Sequence, residues 1–261
     1  MTYWHGLLLG LVQGLTEFLP VSSSGHLVVV ETVLGVSTPG VVVEVVLHVA
    51  TLIAVVVVYR LRLKTLVAGA VRGDRRAWWY LGLLAIGSVP AAVVGLAFAD
   101  IFERAFDSLF LVGCNFIVTG AILWSTRWIR TPPAADRPSA GGAAAVGVAQ
   151  AFAIFPGISR SGTTVAAGLW LGVKPEEAAE FSFLLAIPAI AGAGLLQLPD
   201  LSSATYQVGW GPLLASFIVA LLSGVVAIRF LIALLKRRAF HRFAPYCWGL
   251  GAVTVWWALV M

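Results

Sequence analysis

The sequence contains few charged residues, and this scarcity limits the class of protein. Of its 261 residues, 11% are charged and 60% are hydrophobic, whereas a soluble globular domain carries about 25% charged residues. The mean hydropathy is +0.95. The composition excludes an ordinary soluble domain and predicts an integral membrane protein.

Cysteine is also scarce. Cys114 and Cys247 lie in separate apolar segments, so we expect neither a disulfide nor a metal site from them. The N-terminus lacks the basic segment that begins a secretory signal peptide, so we expect no cleaved signal. The formal net charge is +5, but the basic residues flank apolar segments, which favours the membrane surface over nucleic acid as partner.

One polar stretch interrupts the first apolar segment. Residues 13–26 read QGLTEFLPVSSSGH and combine a carboxylate (Glu17), three hydroxyls and an imidazole (His26). Pro20 and the Ser/Gly cluster break a continuous helix, so we predict two short helices joined by an irregular loop. Unpaired backbone groups are costly at membrane depth, so such a break is expected only where it lines a protein-walled cavity. The stretch is therefore a predicted functional site.

A second stretch repeats the first. Residues 150–163 read QAFAIFPGISRSGT and align with residues 13–26 without a gap. Two of the differences matter most for chemistry: Ser23 is matched by Arg160, and Glu17 is matched by Ile154. Interrupted helices at matching places in two halves predict an inverted repeat with a binding site between the halves. The identical pairs are Gln13 with Gln150, Phe18 with Phe155, Ser22 with Ser159, Ser24 with Ser161 and Gly25 with Gly162.

We therefore predict an all-α polytopic membrane protein with six transmembrane helices and two re-entrant helix hairpins. Its single domain consists of an inverted-topology repeat, with repeat one at about 1–127 and repeat two at about 140–261, joined by a Pro- and Gly-rich linker, 131–142. Hairpin arms are too short to span a bilayer, which needs about 20 residues. The predicted hairpins are 3–14 with 24–35 and 143–155 with 162–172, and the predicted spans are 41–59, 80–98, 108–126, 178–197, 212–235 and 244–261.

Basic residues predict the orientation. Arg104 is the only basic residue in the loops after the second and fourth spans. By the positive-inside rule the loops after the first, third and fifth spans, which are rich in basic residues, are therefore cytoplasmic. Both termini then face outward, and the hairpins enter from opposite sides. We expect their tips to meet near the midplane, in a site open to the extracytoplasmic side. The cytoplasmic loops contain Arg60, Arg62, Lys64, Arg72, Arg75 and Arg76 after span one, Arg127, Arg130 and Arg137 after span three, and Lys236, Arg237, Arg238 and Arg242 after span five.

Arg160 is the first candidate for binding a ligand. It follows Pro156-Gly157 and precedes a predicted helix, where backbone N–H groups and the helix N-terminus favour an anion. A guanidinium there suits phosphate binding. The alternative is a structural ion pair with a carboxylate such as Glu17. The predicted phosphate site comprises Arg160, Ser159, Ser161, Gly162, Ser22 and Ser24.

Glu17 and Gln13 lie four residues apart and therefore on one helical face. Carboxylate and amide oxygens suit Mg²⁺ or Ca²⁺, which would bridge a diphosphate. We predict these two residues as metal ligands. Glu17 could instead deprotonate a reacting group or cap the helix end.

Ser23 and His26 supply a candidate nucleophile and base. His26 could instead attack directly or protonate the leaving phosphate, and the neighbouring serines could simply cap a helix. Glu44 and His48 lie one turn apart in the first span. They are predicted to surround His26 or Glu17 as a second layer, or to pair with each other.

These motifs resemble those of the undecaprenyl pyrophosphate phosphatase family, also called bacitracin-resistance proteins. QGLTEFLPVSSSGH is similar to the glutamate-rich signature of the family and PGISRSG to its second signature, and EVVLH and EFSFLLAIP extend the resemblance over essentially the whole chain. The resemblance implies hydrolysis of undecaprenyl diphosphate to the monophosphate, which recycles the lipid carrier for cell-wall polymers. It also implies six spans with two re-entrant hairpins, dependence on a divalent metal, and a homodimer.

By this resemblance, Glu17 matches the second glutamate of the first motif, Ser23 the nucleophile, His26 the motif histidine and Arg160 the phosphate-binding arginine. Gln13 stands where many members have a first glutamate. An amide can bind a metal but cannot act as a base, so a base role falls to Glu17 or His26.

A transporter or flippase of polyprenyl phosphates is the alternative function, because inverted repeats with interrupted helices are typical of transporters. Such a protein would need the anion-binding Arg160 but no nucleophile at Ser23. An ion channel is poorly supported, because the sequence contains no ring of repeated charges and no carbonyl filter.

Overall fold

The computed structural model describes residues 1–35, 41–129, 134–196 and 209–261. Within these ranges the chain is helical and forms no strand; one isolated bridge joins Ala135 to Val173. Several predictions lie outside these ranges: Arg130, residues 131–133 of the linker, residue 197 of the fourth span and most of the loop that follows it, 198–208.

Twelve α-helices lie in the described ranges. They are α1 Tyr3–Phe18, α2 Ser23–Leu34, α3 Val41–Val58, α4 Arg60–Val71, α5 Arg75–Ala97, α6 Ala99–Phe106, α7 Leu109–Ser125, α8 Ala140–Phe152, α9 Arg160–Trp170, α10 Pro175–Leu196, α11 Trp210–Lys236 and α12 Ala244–Val260. Two 3₁₀ turns, Thr126–Trp128 and Phe240–Phe243, precede α8 and α12.

The described helices confirm an integral membrane protein of the all-α class. Helices α5, α7, α10, α11 and α12 are long and apolar enough to cross a bilayer. Helices α3 and α4 meet at an angle of 76° and together provide a sixth candidate span. Helices α2 and α8 are apolar but contain only 12 and 13 residues, which is fewer than a span needs.

Two segments that we predicted as loops are helical. The basic segment after span one contains α4, and the acidic link after span two contains α6. In α6 the charged residues lie opposite Phe102 and Ala105, which are buried. A short charged segment can therefore form a helix when one of its faces packs against the protein. Helix α8, predicted to begin at residue 143, begins earlier, at Ala140, because Ser139 caps it by accepting a hydrogen bond from Gly142 N (3.1 Å).

Small residues let each interrupted helix lie against a long one. A side chain at Gly10 of α1 would collide with the backbone of Ser216 in α11, and one at Gly147 of α8 would collide with Gly87 in α5. Gly10 and Gly147 occupy matching positions, each three residues before the start of its repeated stretch. The first arm of each predicted hairpin is therefore held along a candidate span.

Helix α7 holds the second interruption through side-chain hydrogen bonds. Asn115 donates to the carbonyl of Pro156 (2.7 Å), and Thr119 donates to the carbonyl of Gly157 (2.8 Å). The Thr119 hydroxyl also accepts a hydrogen bond from Ser159 N (3.0 Å). These bonds satisfy backbone groups that the broken helix leaves free.

The two interruptions contact each other. A Cβ atom at Gly25 would lie 2.8 Å from Gly157 Cα, and one at Gly162 would lie 3.2 Å from Pro20 Cβ. In the alignment of the two stretches, Gly25 matches Gly162 and Pro20 matches Gly157. The contacts are thus reciprocal between the two copies, and the functional side chains lie around this junction.

Candidate active site

Glu17 lies at the centre of the site and is 7% exposed. Its Oε2 accepts hydrogen bonds from Ser23 Oγ (2.5 Å) and Gln13 Nε2 (3.2 Å). Its Oε1 forms an ion pair with Nη2 of Arg160. One carboxylate therefore connects the first interruption to the second.

Arg160 begins α9 and keeps one part of its guanidinium free. Its Nη2 binds Glu17, whereas its Nη1 is buried without a hydrogen-bond partner in the described part of the chain. A buried donor without a partner costs about 1–3 kcal/mol. The ion pair with Glu17, which was the alternative role predicted for Arg160, is therefore formed. Nη1 remains available as a donor to an anion.

Ser22 caps the N-terminus of α2 and has a backbone conformation with positive φ, at φ 69° and ψ 100°. Its hydroxyl accepts a hydrogen bond from Gly25 N (3.3 Å) and lies 3.3 Å from Ser24 Oγ. Non-glycine residues in such regions cost about 1–3 kcal/mol and cluster at functional sites. The cap turns the next residue, Ser23, toward Glu17.

The second interruption repeats this cap. Ser159 accepts a hydrogen bond from Gly162 N (3.0 Å) and lies 3.3 Å from Ser161 Oγ. Ser161 also donates to the carbonyl of Leu19 at the first interruption (3.1 Å). Among the predicted phosphate ligands, Ser159 and Ser161 thus also have structural roles as a cap and a cross-link.

Within the described residues the imidazole of His26 forms no hydrogen bond with Ser23, contrary to the expected base arrangement. Its Nδ1 lies 2.7 Å from the carbonyl oxygen of Ser22, and its Nε2 lies 2.7 Å from the hydroxyl of Tyr246. Ser23 bonds to Glu17 instead. Tyr246 could not be identified from the sequence, because it lies 220 positions from His26 in an apolar helix and no local motif marks it.

His48 and Glu44 extend the site along α3. The Nε2 atom of His48 lies 3.9 Å from Glu17 Oε2. Its Nδ1 lies 2.8 Å from the backbone carbonyl of Glu44, so the two residues do not pair through their side chains. His48 is therefore a neighbour of Glu17, which was one of the two arrangements considered.

A cavity of about 300 Å³ opens at this junction. Part of its lining, the polar wall, is polar, and the rest, the apolar wall, consists of apolar residues that come mainly from α3, α10 and the segment that follows α8. Gln13, His26, Ser161 and Gly162 are not among its lining residues. The cavity can therefore hold a polar group against an apolar surface. The polar lining comprises Thr16, Glu17, Ser22, Ser23, Ser24, Glu44, His48, Ser159 and Arg160.

The donors available to a metal are few. Within the described residues no three His, Cys, Asp or Glu side chains are arranged to hold an ion. Gln13 is fully buried, and its Oε1 accepts no hydrogen bond in that part of the chain. Gln13 and Glu17 thus fit a hard cation whose other ligands are phosphate oxygens and water.

The fold and the site define a helical membrane protein in which two interrupted helices bring a carboxylate, a hydroxyl and a guanidinium together. Such a set suits the handling of a phosphorylated lipid. The chain belongs to the family of the bacitracin resistance protein BacA, whose model matches residues 6–253.

Curated relatives are similar over almost their full length. The chain is 42% identical to the undecaprenyl-diphosphatase of Desulfosudis oleivorans, with 97% of each chain covered. It is 43% identical to that of Syntrophotalea carbinolica, with 97% of this chain and 98% of the relative covered. It is 40% identical to that of Desulfatibacillum aliphaticivorans, with 98% of each covered.

Proposed function

We propose that this protein hydrolyses undecaprenyl diphosphate to undecaprenyl phosphate and inorganic phosphate. The main support is the contact of Ser23 Oγ with Glu17 Oε2 at 2.5 Å, beside the guanidinium of Arg160. The relatives are named undecaprenyl-diphosphatase, and this activity matches that name. The product is the lipid carrier for cell-wall synthesis, and the activity fits the bacitracin resistance in the family name.

The diphosphate binds at the polar wall of the cavity. Arg160 Nη1, which has no partner in the described residues, donates to a phosphate oxygen while Nη2 keeps its bond to Glu17. Ser22 and Ser24 on one side, and Ser159 with the N-terminus of α9 on the other, supply further donors. The first isoprene units lie against the apolar wall, where α10 contributes Ala189, Ile190, Ala193 and Gly194.

Ser23 attacks the distal phosphorus. Its Oγ forms the new bond to phosphorus, and the bridging P–O bond breaks, so that undecaprenyl phosphate leaves with the electron pair. The proton of Ser23 passes to Glu17, the acceptor already in hydrogen-bond contact. Arg160 stabilises the charge that develops on the transferred phosphoryl group.

Water completes the cycle by attacking the phosphorylated serine. The Oγ–P bond breaks, Ser23 regains its proton from Glu17, and the protons of water leave with inorganic phosphate. Glu17 thus acts as base in the first step and as acid in the second. His48, 3.9 Å from Glu17, adds a nearby polar group to the cavity lining.

A divalent cation, Mg²⁺ or Ca²⁺, is part of the proposal. Glu17, which lines the cavity together with Glu44, and Gln13, which is buried beside it, would hold the cation. When bound, it neutralises charge on the diphosphate and orients it. The support is the buried Oε1 of Gln13, which is a hard oxygen without a hydrogen-bond partner in the described ranges.

The finer architecture is also a proposal. Two inverted repeats, at about 1–127 and 140–261, would form one domain with six spans and two re-entrant hairpins. The matching caps at Ser22 and Ser159 and the reciprocal contacts of Gly25 and Gly162 support it. Both termini would face outward and the cavity would open to the extracytoplasmic side. A homodimer is proposed from the family resemblance alone.

A flippase of polyprenyl phosphates is less well supported. Such a protein would use the guanidinium of Arg160 but has no need for a serine hydroxyl within 2.5 Å of a carboxylate. The contact between Ser23 and Glu17 therefore favours hydrolysis.

The test is phosphate release from undecaprenyl diphosphate by purified protein in detergent, with Mg²⁺, Ca²⁺ or a chelator. We expect metal-dependent release by the wild type and none by Ser23→Ala. Ser88→Ala is the matched control, since the Ser88 hydroxyl donates to Leu84 O in α5, away from the cavity. Release that survives Ser23→Ala would reassign the attack to another group. If the wild type released no phosphate under any of these conditions, the proposed phosphatase activity would be excluded.

Acid quenching separates attack by serine from attack by water. With substrate labelled in its distal phosphate, we expect label on quenched wild-type protein and none on Ser23→Ala. Label that persists on Ser23→Ala would point to His26 or another residue as the attacking group.

A further inference from the structure

Tyr246 holds His26 from outside the repeated stretches. It lies near the start of α12, and its hydroxyl is 2.7 Å from His26 Nε2. The two rings are parallel to within 5°, with centroids 5.8 Å apart. Phe116 of α7 packs against the His26 ring edge-on, at 5.2 Å. The imidazole is thus fixed by a hydrogen bond and by two aromatic contacts.

The partners of His26 define its tautomer. Nδ1 lies 2.7 Å from the carbonyl oxygen of Ser22, which can only accept a hydrogen bond. In the neutral ring Nδ1 therefore carries the proton, and Nε2 accepts from the Tyr246 hydroxyl. Tyr246 stabilises the one tautomer that can donate to Ser22.

The Ser22 carbonyl belongs to the turn that carries Ser23, and it accepts a hydrogen bond from the backbone N–H of His26 (3.2 Å) as well as from the imidazole. Ser22 has φ 69°, a conformation that L-residues rarely adopt. The next residue, Ser23, reaches Glu17 from this turn at 2.5 Å. Rotation of the Ser22–Ser23 peptide would carry the Ser23 hydroxyl away from the carboxylate.

We infer that Tyr246 is a positioning residue for the hydrolysis, which holds the Ser23 hydroxyl against Glu17 through His26 and the Ser22 carbonyl. His26 then acts on the backbone of the turn and does not take the proton of Ser23. The inference rests on the proposed function, because it assigns Ser23 as the attacking group.

The first test is Tyr246→Phe, which removes the hydroxyl and keeps the ring. We expect kcat to fall about tenfold, the effect of losing one hydrogen bond in the transition state, with KM unchanged. The thermal midpoint should stay near that of the wild type, because the Tyr246 side chain is 51% exposed. Tyr3→Phe is the matched control: Tyr3 is 61% exposed, lies in α1 away from the cavity, and should keep wild-type kcat.

A second measurement reports the tautomer directly. The chain contains four histidines, so long-range ¹H–¹⁵N spectra of histidine-labelled protein are simple, and His26→Gln assigns the His26 signals. We expect His26 to be protonated at Nδ1 in the wild type and to be a mixture of tautomers in Tyr246→Phe.

A double-mutant cycle completes the test. If Tyr246 acts through His26, Tyr246→Phe should lower kcat little further in a His26→Gln background. Additive losses, an unchanged kcat in Tyr246→Phe, or a wild-type His26 protonated at Nε2 would each overturn the inference. Absence of phosphate release from the wild type is a different result, because it removes the proposed function itself.

Discussion

Arg160 and Glu17 lie 143 positions apart in the chain and form a buried ion pair between the two interrupted helices. The pair connects the guanidinium of the second copy to the carboxylate of the first. Because it occupies only Nη2 of Arg160, it leaves Nη1 as a donor for substrate. Two predictions test these separate roles of Nη1 and Nη2 of Arg160.

Arg160→Lys should retain the charge and lose most of the activity. An ammonium cannot serve a carboxylate and a phosphate in the fixed geometry of a guanidinium. Losing a charge-assisted hydrogen bond worth about 1.5–3 kcal/mol lowers kcat/KM by about 10- to 100-fold. Phosphate release is the measurement. Arg229→Lys, an exposed arginine within α11, is the control and should match the wild type. Wild-type kcat/KM in Arg160→Lys would contradict the phosphate role.

Breaking the ion pair should destabilise the protein, whereas removing both charges should not destabilise it as much. Arg160→Met leaves the carboxylate of Glu17 buried and unpaired, which costs about 3–5 kcal/mol. In the double variant Glu17→Gln/Arg160→Met the unpaired charge is absent, so part of the thermal midpoint should return. Thermal unfolding in detergent measures both variants. A double variant less stable than Arg160→Met would contradict the account.

Gln13→Glu should reduce the metal concentration needed for activity. It adds a second carboxylate beside Glu17, which strengthens binding of a hard cation and adds repulsion when the cation is absent. We expect a lower Mg²⁺ concentration for half-maximal phosphate release and a lower thermal midpoint in chelator. Gln13→Met, which offers no oxygen, should shift the half-maximal concentration upward. Identical metal dependence in all three proteins would exclude this residue as a ligand.

Gly10→Ala should destabilise the packing of α1 on α11. Its methyl group would meet the backbone of Ser216, and overpacking of this kind costs about 1–3 kcal/mol. Gly82→Ala is the matched control in α5, where an added Cβ would meet no atom within 4 Å. The control should be neutral or stabilising, because alanine favours a helix by up to about 1 kcal/mol over glycine. Equal thermal midpoints for the two variants would contradict the close approach.

The ion pair between Asp136 and Lys174 should make a small, pH-dependent contribution to stability. The Lys174 hydrogen bond and charge lower the pKa of Asp136 below its ordinary value of 3.8. A lowered folded-state pKa stabilises the fold above the unfolded pKa, and this stabilisation is lost as the pH falls through the folded pKa.

Asp136→Asn should therefore slightly lower the thermal midpoint at neutral pH and have no effect at strongly acidic pH. The effect is small because the Asp136 side chain is 77% exposed. Asp100→Asn, an exposed carboxylate of α6, should not differ from the wild type. If the thermal midpoint of Asp136→Asn fell further below that of the wild type as the pH decreased, the result would contradict this prediction.

Much of the helical plan could be predicted, because its signals are local. The first interruption follows from Pro20 and the serines beside it, the second from Pro156-Gly157, and both are found where expected. Pro175 begins α10, a few residues before the predicted start of the fourth span, in keeping with the preference of proline for the first helical position. Helices α4 and α6 were predicted as loops because their sequences are rich in charged residues. Each has a face that is buried only by packing against the surrounding protein, and the local sequence does not reveal that packing.

The partners of the site residues were harder to predict. The stretch 13–26 brings Glu17, Ser23 and His26 close in sequence, but sequence distance does not decide which of them bond. In the structure Ser23 turns to Glu17, and His26 turns to Tyr246, which comes from the last helix. That choice depends on tertiary packing, which no motif of the chain encodes locally.

Ser23 and Arg160 occupy the same place in the two repeated stretches, and both side chains reach Glu17. An assembly of two identical copies would carry one residue type at both places, either two hydroxyls without a guanidinium or two guanidiniums without a hydroxyl. Because the two copies are joined in one polypeptide, each of the two positions can be substituted independently of the other. In the proposed mechanism, the departure from symmetry at this position lets a duplicated framework present an attacking oxygen and a positive charge to the same phosphate.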